Sequence, residues 1–349
     1  MFKIGNYEIS RENKPFIIAE MSGNHNNSLD RALEIVEAAA KAGADAIKLQ
    51  TYTADTMTLD VDKDDFKIMD KNSLWYGQHL YELYQQANTP WEWHETIFNK
   101  AKELGILCFS SPFDSTAVDF LEELNAPAYK IASFENKDVN LIRKVAKTGK
   151  PVIISTGMAS LADLHLITET LRESGCTNFI LLKCTSAYPA SPADANLVMM
   201  ARMGEIFDCQ VGLSDHTMGV GVPIAAVALG ATVIEKHFCL SRKEGGVDAD
   251  FSLEPHEFSV LVEEAKKAWQ SIGSISYQLP VAEEKSKQFR RSIYFVKDMQ
   301  SGEVITEECV RCIRPGYGLE PQYWDKVIGC KVRRKVVTGD RVEWECLEF

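Results

Sequence analysis

Short apolar runs alternate with helix-like stretches along most of this chain. Each run follows a Gly or Asn that suits the end of a helix, and polar residues appear where the run stops. The eight runs are FIIAE (16–20), AIKLQ (46–50), ILCFSS (106–111), AYKIAS (128–133), VIIST (152–156), FILLKCTS (179–186), VGLSDH (211–216) and VIEKHF (233–238). Strands that alternate with helices favour a parallel sheet, and eight such units predict a (β/α)8 TIM barrel.

The residues between the runs carry start and stop signals of helices. Ser28 is placed to cap LDRALEIVEAAAKA, and Gly43 suits its end. Ser160, with Asp163 three residues later, is placed to cap LADLHLITETLRES. Ahead of the first run, FKIGN and YEIS predict a hairpin across the N-terminal end of the barrel.

One connection is far longer than the others. Residues 51–88 separate the second run from the next helix, whereas such loops usually have about 2 to 6 residues. The periodicity of LYELYQQA predicts a helix inside this insertion. Because the insertion leaves the C-terminal end of a strand, it forms a lid or substrate wall, or else it only decorates the surface.

The pattern changes after the last barrel helix, EPHEFSVLVEEAKKAWQSIG. We predict a barrel domain over residues 1–275, a polar linker over 276–289 and a β-rich domain over 290–349. A domain of about sixty residues is marginally stable by itself, so we expect it to pack on a barrel. It contains RPGYGL (314–319), in which Pro and two Gly form a rigid turn beside an arginine.

Composition narrows the class of protein. The chain has 349 residues and a net charge of -12, which argues against nucleic acid as a partner. No apolar run approaches the ~20 residues of a membrane span, and the N-terminus lacks the apolar core of a signal peptide. Nine scattered cysteines without a CxxC pair indicate reduced thiols, and we interpret Cys184 as a packing residue without a histidine partner. We therefore expect a cytoplasmic protein.

Polar residues at the strand ends predict an anion site. A strand of a parallel barrel is buried on both faces, so a charge at its C-terminal end is costly, and that end is the catalytic face of a TIM barrel. A single lysine or serine at the end of a strand is often only solvated and binds no ligand. Several that converge favour binding of a phosphate or carboxylate. The converging set is Lys48, Lys130, Lys183, Ser111, Ser133, Ser155 and Ser186.

Two histidines predict a metal site on the same face. His216 and His237 end the seventh and eighth runs, which are neighbours in a barrel, and Asp215 and Glu235 lie beside them. Two imidazoles can share a divalent cation and leave coordination positions open for substrate and water. Glu20 is the only charge in FIIAEM, which points to acid–base or hydroxyl-binding work.

These motifs together resemble a known family. The strings IAEMSGNHN, IKLQTYT, SSPF, YKIASFE, STGM, KCTSAYP, GLSDHT and EKHF resemble the sialic acid synthase family, and the segment with RPGYGL resembles its SAF, or antifreeze-like, domain. The resemblance covers nearly the whole chain. It implies condensation of phosphoenolpyruvate (PEP) with an open-chain N-acetylated amino sugar, giving a nonulosonic acid and phosphate. It also implies a divalent metal, Mn²⁺ or Mg²⁺, and a domain-swapped homodimer in which the SAF-like domain covers the partner's barrel.

Some strings also resemble one branch of that family. KIASFE, IKLQTYT and LCFSSPF are similar to the pseudaminic acid synthase branch, whose acceptor is 2,4-diacetamido-2,4,6-trideoxy-altrose. N-acetylneuraminate and legionaminate synthesis remain the alternatives.

Matching the motifs implies a role for each site residue. The PEP-binding residues would be Lys48, Ser111, Lys130, Ser133, Ser155, Ser186 and Ser214. His216 and His237 would hold the metal, and with Glu20 and Glu235 they form the catalytic set. Glu20, Asp248 and an Arg314 from the partner chain would contact the sugar.

Three rival functions fit parts of the pattern. A Schiff-base aldolase would use Lys183 at the sixth run. A metal hydrolase usually requires more metal ligands than two histidines. A non-enzymatic sugar-binding or antifreeze-like protein is supported only by the C-terminal domain, and the polar strand ends argue against it.

Overall fold

Eight parallel strands close into a barrel in the computed structural model, which describes residues 2–71 and 73–349. A hairpin precedes it, with β1 at Phe2–Ile4 and β2 at Tyr7–Ile9. The barrel strands are β3 (Phe16–Glu20), β4 (Ala46–Thr51), β5 (Leu107–Pro112), β6 (Tyr129–Ile131), β7 (Val152–Ser155), β8 (Phe179–Cys184), β9 (Gln210–Asp215) and β10 (Val233–His237). They follow one another in chain order, and β10 pairs with β3 to close the ring. Each predicted run overlaps one strand, so the predicted TIM barrel is confirmed.

The hairpin fills the N-terminal end of the barrel. β1 and β2 pair in antiparallel register, with Phe2 opposite Ile9. The side chains of Phe2, Ile4 and Ile9 pack with inward-facing strand residues such as Phe16 and Phe109. Apolar burial therefore closes this end of the interior, and the predicted position of the hairpin is confirmed.

Helices surround the strands and bury the outward-facing apolar residues of the sheet. The helices of this unit are α1 (Leu29–Lys41), α2 (Ala54–Met57), α3 (Leu80–Ala87), α4 (His94–Glu103), α5 (Ser115–Glu123), α6 (Val139–Ala146), α7 (Leu161–Glu173), α8 (Val198–Phe207), α9 (Gly221–Ala228) and α10 (Pro255–Ile272). Ser28 caps α1 by accepting from Arg31 N, and Ser160 forms a capping box with Asp163 at α7, as predicted.

The insertion after β4 is ordered by its own hydrogen bonds. It contains α2 and α3, and α3 is the helix predicted from LYELYQQA. Between them, the backbone of Ile68 accepts from Gly77 N at 2.8 Å and donates to Gln78 O at 3.0 Å. The Tyr81 hydroxyl donates to Asp55 Oδ1 at 3.0 Å and links the two helices.

Ser274–Phe349 forms a second compact unit, after a first unit that ends at Gly273. Its elements are α11 (Val281–Glu284), β11 (Ser292–Phe295), β12 (Val310–Ile313), α12 (Trp324–Val327), β13 (Lys331–Val332) and β14 (Leu347–Glu348). The pairs β11–β12 and β13–β14 are antiparallel and enclose a small apolar core of their own. The predicted domain limits, 1–275, 276–289 and 290–349, stay predictions. The boundary between the two units lies close to residue 275, the predicted end of the barrel domain.

Within the described residues, no helix combines the length and hydrophobicity that crossing a membrane requires.

Candidate active site

Side chains alternate between the two faces of a strand. Because of this alternation, many of the polar residues at the strand ends point into the barrel. Ile18, Ala46 and Phe109 face the interior, so the residues two positions further along each strand face it as well. This rule selects Glu20 after Ile18 and Lys48 after Ala46. The interior residues at the C-terminal end are Glu20, Lys48, Gln50, Ser111, Lys130, Ser155, Cys184, Ser214, His216, Glu235 and His237.

The first cluster in this interior is an ion pair between β3 and β4. Lys48 Nζ lies 2.6 Å from Glu20 Oε2 and donates to Ser111 Oγ at 3.2 Å. Gln50 Nε2 donates to Glu20 Oε1 at 2.9 Å. Burial raises the pKa of Glu20 to about 7, although Lys48 opposes this, and the charge of Glu235 adds to it. Burial therefore favours the protonated form of this carboxyl.

A second ion pair lies beside the first. Lys130 Nζ is 3.3 Å from Glu235 Oε1 and donates to Ser155 Oγ at 2.6 Å. Ser214 Oγ donates to the same Glu235 oxygen at 3.1 Å. Burial lowers the pKa of Lys130, whereas Lys130 and Lys48 overcome burial and hold the pKa of Glu235 below its ordinary value. The two ammonium groups and three hydroxyls form a donor-rich floor that suits an anion.

Two further serines lie beside a glycine at the end of β7. Ser133 Oγ accepts from Gly157 N at 3.2 Å and donates to Cys184 Sγ at 3.3 Å. A side chain on Gly157 would overlap the hydroxyls of both Ser133 and Ser186. Glycine is thus required here because the hydroxyls approach the backbone closely. His216 Nδ1 lies 3.9 Å from Cys184 Sγ, so the expectation that this thiol has no histidine neighbour is wrong.

The two histidines lie together, with ring centroids 5.3 Å apart. His216 Nδ1 is 2.9 Å from the carbonyl oxygen of Thr185, which makes it the protonated nitrogen and leaves Nε2 free to ligate. His237 Nδ1 has no hydrogen-bond partner within the described residues, and Asp248 Oδ2 lies 3.9 Å from it. Burial and the nearby cations lower the pKa of His237 well below its ordinary value. A buried, neutral imidazole with an unused lone pair fits a metal ligand.

Among the described residues, few metal donors lie together at this site. Within residues 2–71 and 73–349, no three His, Cys, Asp or Glu side chains come together as a metal-binding group. A cation held here would take two imidazoles from the chain and its remaining ligands from water and substrate, as an open catalytic site does.

Asp248 is held at this site by contacts across the barrel. Its carboxylate accepts from Ser22 Oγ, and Gln50 Nε2 donates to the same hydroxyl at 3.0 Å. Its backbone N–H donates to Asn24 Oδ1 at 3.3 Å, and the Asn24 amide donates to Ser252 Oγ at 2.9 Å. Sequence reasoning assigned no role to Ser22, Asn24 or Gln50. All three lie in strings that carry the family resemblance, IAEMSGNHN and IKLQTYT, and Gln50 also lies in phase with Lys48.

A cavity of about 380 Å³ borders part of this site. Its lining includes Ser22, Ser133, Ser186, His237 and Asp248 together with side chains of the insertion. Of the two interpretations left open for residues 51–88, the geometry supports the substrate wall.

Glu135 is a cavity residue that sequence reasoning missed. It is half-buried, burial raises its pKa to about 7, and its Oε2 has no hydrogen-bond partner among the described residues. A signal was available, because its carboxylate comes only two residues after Ser133 in KIASFE.

Three predicted participants lie elsewhere. Lys183 faces away from the interior, because it is out of phase with its inward neighbours, and its ammonium donates to Cys184 O at 3.0 Å. This contradicts its place in the anion set and removes the Schiff-base candidate. Asp215 pairs with Lys236 at 2.5 Å and not with the histidines. Arg314 is an exposed residue of the second unit, just after β12.

Comparison with known proteins identifies the family. Residues 35–277 match the model of the NeuB family, and residues 290–348 match the SAF domain. A pseudaminic acid synthase of Campylobacter jejuni is 46% identical over 341 residues, which are 98% of this chain and 98% of that protein. An N,N'-diacetyllegionaminic acid synthase of Legionella pneumophila is 36% identical over 343 residues, 95% of this chain and 94% of that protein.

A solved structure is also similar over most of the chain. The N-acetylneuraminic acid (sialic acid) synthetase of Leptospira borgpetersenii, determined in complex with citrate, has a TM-score of 0.73 and 30% identity. The similarity covers 81% of this chain and 94% of that one. The resemblance to sialic acid synthases predicted from the motifs is confirmed.

Proposed function

Because this chain belongs to the NeuB family, we propose that it condenses PEP with 2,4-diacetamido-2,4,6-trideoxy-altrose to give pseudaminic acid and phosphate. The observation that carries this proposal is the floor of two buried Lys–Glu pairs, which Gln50 links to a sugar-sized cavity. N-acetylneuraminate and legionaminate synthesis are the alternatives, and they differ only in the acceptor.

The lysines and serines of the floor bind PEP in this proposal. Phosphate and carboxylate need charged and neutral donors from several directions, and Lys48 and Lys130 supply the charged ones. Besides its carboxylate partner, each lysine contacts a serine hydroxyl, at 3.2 and 2.6 Å, so the donor groups already converge. Ser111, Ser133, Ser155, Ser186 and Ser214 supply the neutral donors.

Glu20 and Glu235 divide the proton transfers. C3 of PEP attacks the sugar aldehyde, whose oxygen then takes a proton, and water adds to C2, which has become the electrophilic carbon and then releases phosphate. Two carboxyls whose pKa values are pushed apart take opposite roles. Glu20, with its pKa raised to about 7, is the proton donor, and Glu235, with its pKa lowered, is the base toward water.

His216 and His237 would hold Mn²⁺ or Mg²⁺. When bound, such an ion polarises the aldehyde oxygen as a Lewis acid. The chain's own part is to present two imidazoles, one of them oriented by the Thr185 carbonyl. Asp248, fixed by Ser22, binds an acceptor hydroxyl or amide beside them.

Phosphate release tests the proposed function directly. The enzyme is incubated with PEP, Mn²⁺ and one of three acceptors: 2,4-diacetamido-2,4,6-trideoxy-altrose, its manno isomer or N-acetylmannosamine. We expect the altrose derivative to give the highest kcat/KM and a product mass equal to acceptor plus pyruvate. Release without any acceptor dependence would contradict the proposal, and a preference for another sugar would select the corresponding alternative.

The pH dependence should report the Glu20 carboxyl. The protonated fraction falls as pH rises through its pKa of about 7, so kcat/KM for the acceptor should decline above neutral pH. Glu20→Gln should lower the rate and remove this alkaline limb. Glu135, whose pKa is also raised to about 7, provides the matched control. The assignment fails if Glu135→Gln removes the limb and Glu20→Gln leaves it.

We propose that the protein works as a domain-swapped homodimer in which Arg314 serves the partner's site. Mixing Arg314→Ala chains with Glu20→Ala chains should then restore activity, because each hybrid dimer has one site with neither substitution. When equal amounts of the two variants exchange subunits at random, about a quarter of all active sites carry neither substitution. No recovery, with subunit exchange demonstrated by mass spectrometry, would mean that Arg314 acts in its own chain.

We place the reaction in the cytoplasm. All nine cysteines, which lie within the described residues, are free thiols, as suits a reducing compartment.

A further inference from the structure

The lining of the cavity is divided by polarity. At one end lie Ser22, Gln50, His237 and Asp248, which belong to the catalytic floor or contact it. From the insertion come the rings of Tyr52, Trp75 and Tyr84 and the aliphatic side chains of Met57, Ile68, Leu80 and Leu83. We call the four aliphatic residues the aliphatic wall.

The aliphatic wall is held in place. Ile68 is fixed by backbone hydrogen bonds to Gly77 and Gln78, and Leu80 and Leu83 stand on α3. Trp75, also from the insertion, donates its Nε1–H to Val247 O at 3.1 Å and so ties the insertion to the loop that carries Asp248. A wall fixed at both ends can discriminate between ligands by shape and polarity.

The direction of the acceptor follows from the reaction. Its C1 aldehyde must meet PEP at the polar end, so the C4–C6 end of the open-chain sugar points the other way. In 2,4-diacetamido-2,4,6-trideoxy-altrose that end carries the C6 methyl and the methyl of the 4-acetamido group. N-acetylmannosamine carries hydroxyls at both positions, which an aliphatic surface cannot hydrogen-bond.

We propose that the aliphatic wall is the specificity determinant for the C4–C6 end of the acceptor, selecting a C6 methyl over a C6 hydroxymethyl group. This rests on the proposed function, which it refines by naming the residues that choose the sugar class. The aliphatic wall distinguishes an apolar from a polar group at C6, and it does not distinguish the stereochemistry of the sugar. It therefore favours 6-deoxy sugars of either the altro or the manno series.

The expected discrimination is moderate. An apolar pocket rejects an added hydroxyl by about tenfold to a hundredfold in kcat/KM. A glutamine in the wall offers the hydroxyl a partner and removes part of the methyl's apolar contact, so the ratio should fall by about tenfold.

The test uses two sugars that differ by one hydroxyl, 2,4-diacetamido-2,4,6-trideoxy-altrose and its 6-hydroxy counterpart. We expect wild type to prefer the 6-deoxy sugar at least about tenfold in kcat/KM, and Ile68→Gln and Leu80→Gln to reduce that ratio without raising KM for PEP. The matched controls are Met69→Gln and Leu59→Gln in the same insertion, whose side chains are 60% and 62% exposed. Both controls should keep the wild-type ratio.

The outcomes separate this inference from the proposed function. Equal use of the two sugars by wild type would overturn the inference and leave the synthase activity standing, whatever the variants do. A wall variant that slows both sugars equally, or a control that shifts the ratio as much, would overturn it too. No phosphate release with any acceptor would instead refute the proposed function, and the inference with it.

Discussion

Replacing His237 with alanine is expected to remove divalent-cation binding and lower kcat about a hundredfold or more, because Lewis-acid assistance is worth several kcal/mol. The fold should stay intact, and the free energy of unfolding should fall by about 0.5 to 3 kcal/mol, because the buried ring packs on Phe251. Its Nδ1 also lacks a hydrogen-bond partner within the described part of the chain, so no such bond is lost. His216→Ala should lose the cation and kcat in the same way, and it also loses the hydrogen bond to the Thr185 carbonyl.

Two measurements check this prediction. The first is bound Mn²⁺ per chain after dialysis against Mn²⁺, which does not depend on turnover. The second is kcat after chelation, with recovery on adding Mn²⁺. His256→Ala, at an exposed position on α10, is the control and should match wild type in both. Full activity of metal-free wild-type enzyme would eliminate the proposed role of both histidines.

The barrel and most of its interior could be predicted because they follow from local periodicity. A run such as AIKLQ shows where a strand ends, and the period of two shows which side chains share its face. Lys183 was wrongly predicted to belong to the anion site. Its position near a strand end was considered, but the alternation of side chains along the strand was not. Its neighbours Leu182 and Cys184 face the interior, and Lys183 between them cannot.

Other features depend on contacts that no local pattern encodes. Asp248 reaches the site because Ser22, 226 residues earlier, donates to it. The raised pKa of Glu20 comes from burial and from Glu235 on a neighbouring strand, so it requires the closed barrel. The sugar contact predicted for Arg314 involves a second chain, and it therefore stays a proposal.

Replacing Lys130 with alanine should raise KM for PEP about tenfold to a hundredfold and leave KM for the acceptor nearly unchanged. A charge-assisted hydrogen bond contributes roughly 1.5 to 3 kcal/mol, which corresponds to this range. The protein should also lose about 3 kcal/mol of unfolding free energy, because the buried Glu235 carboxylate loses its nearest cation. Lys48→Ala should affect PEP similarly and leave Glu20 without its ion pair.

Lys183→Ala is the control that makes this result specific. Lys183 is on the strand next to β7 and β9, only partly buried, and its ammonium contacts the backbone outside the barrel interior. Its replacement should leave KM for PEP within about twofold of wild type. Steady-state kinetics with each substrate varied in turn, together with urea unfolding, measure both effects. If Lys130→Ala and Lys48→Ala instead raise only the acceptor's KM, the two subsites are reversed, and the lysine floor binds the sugar.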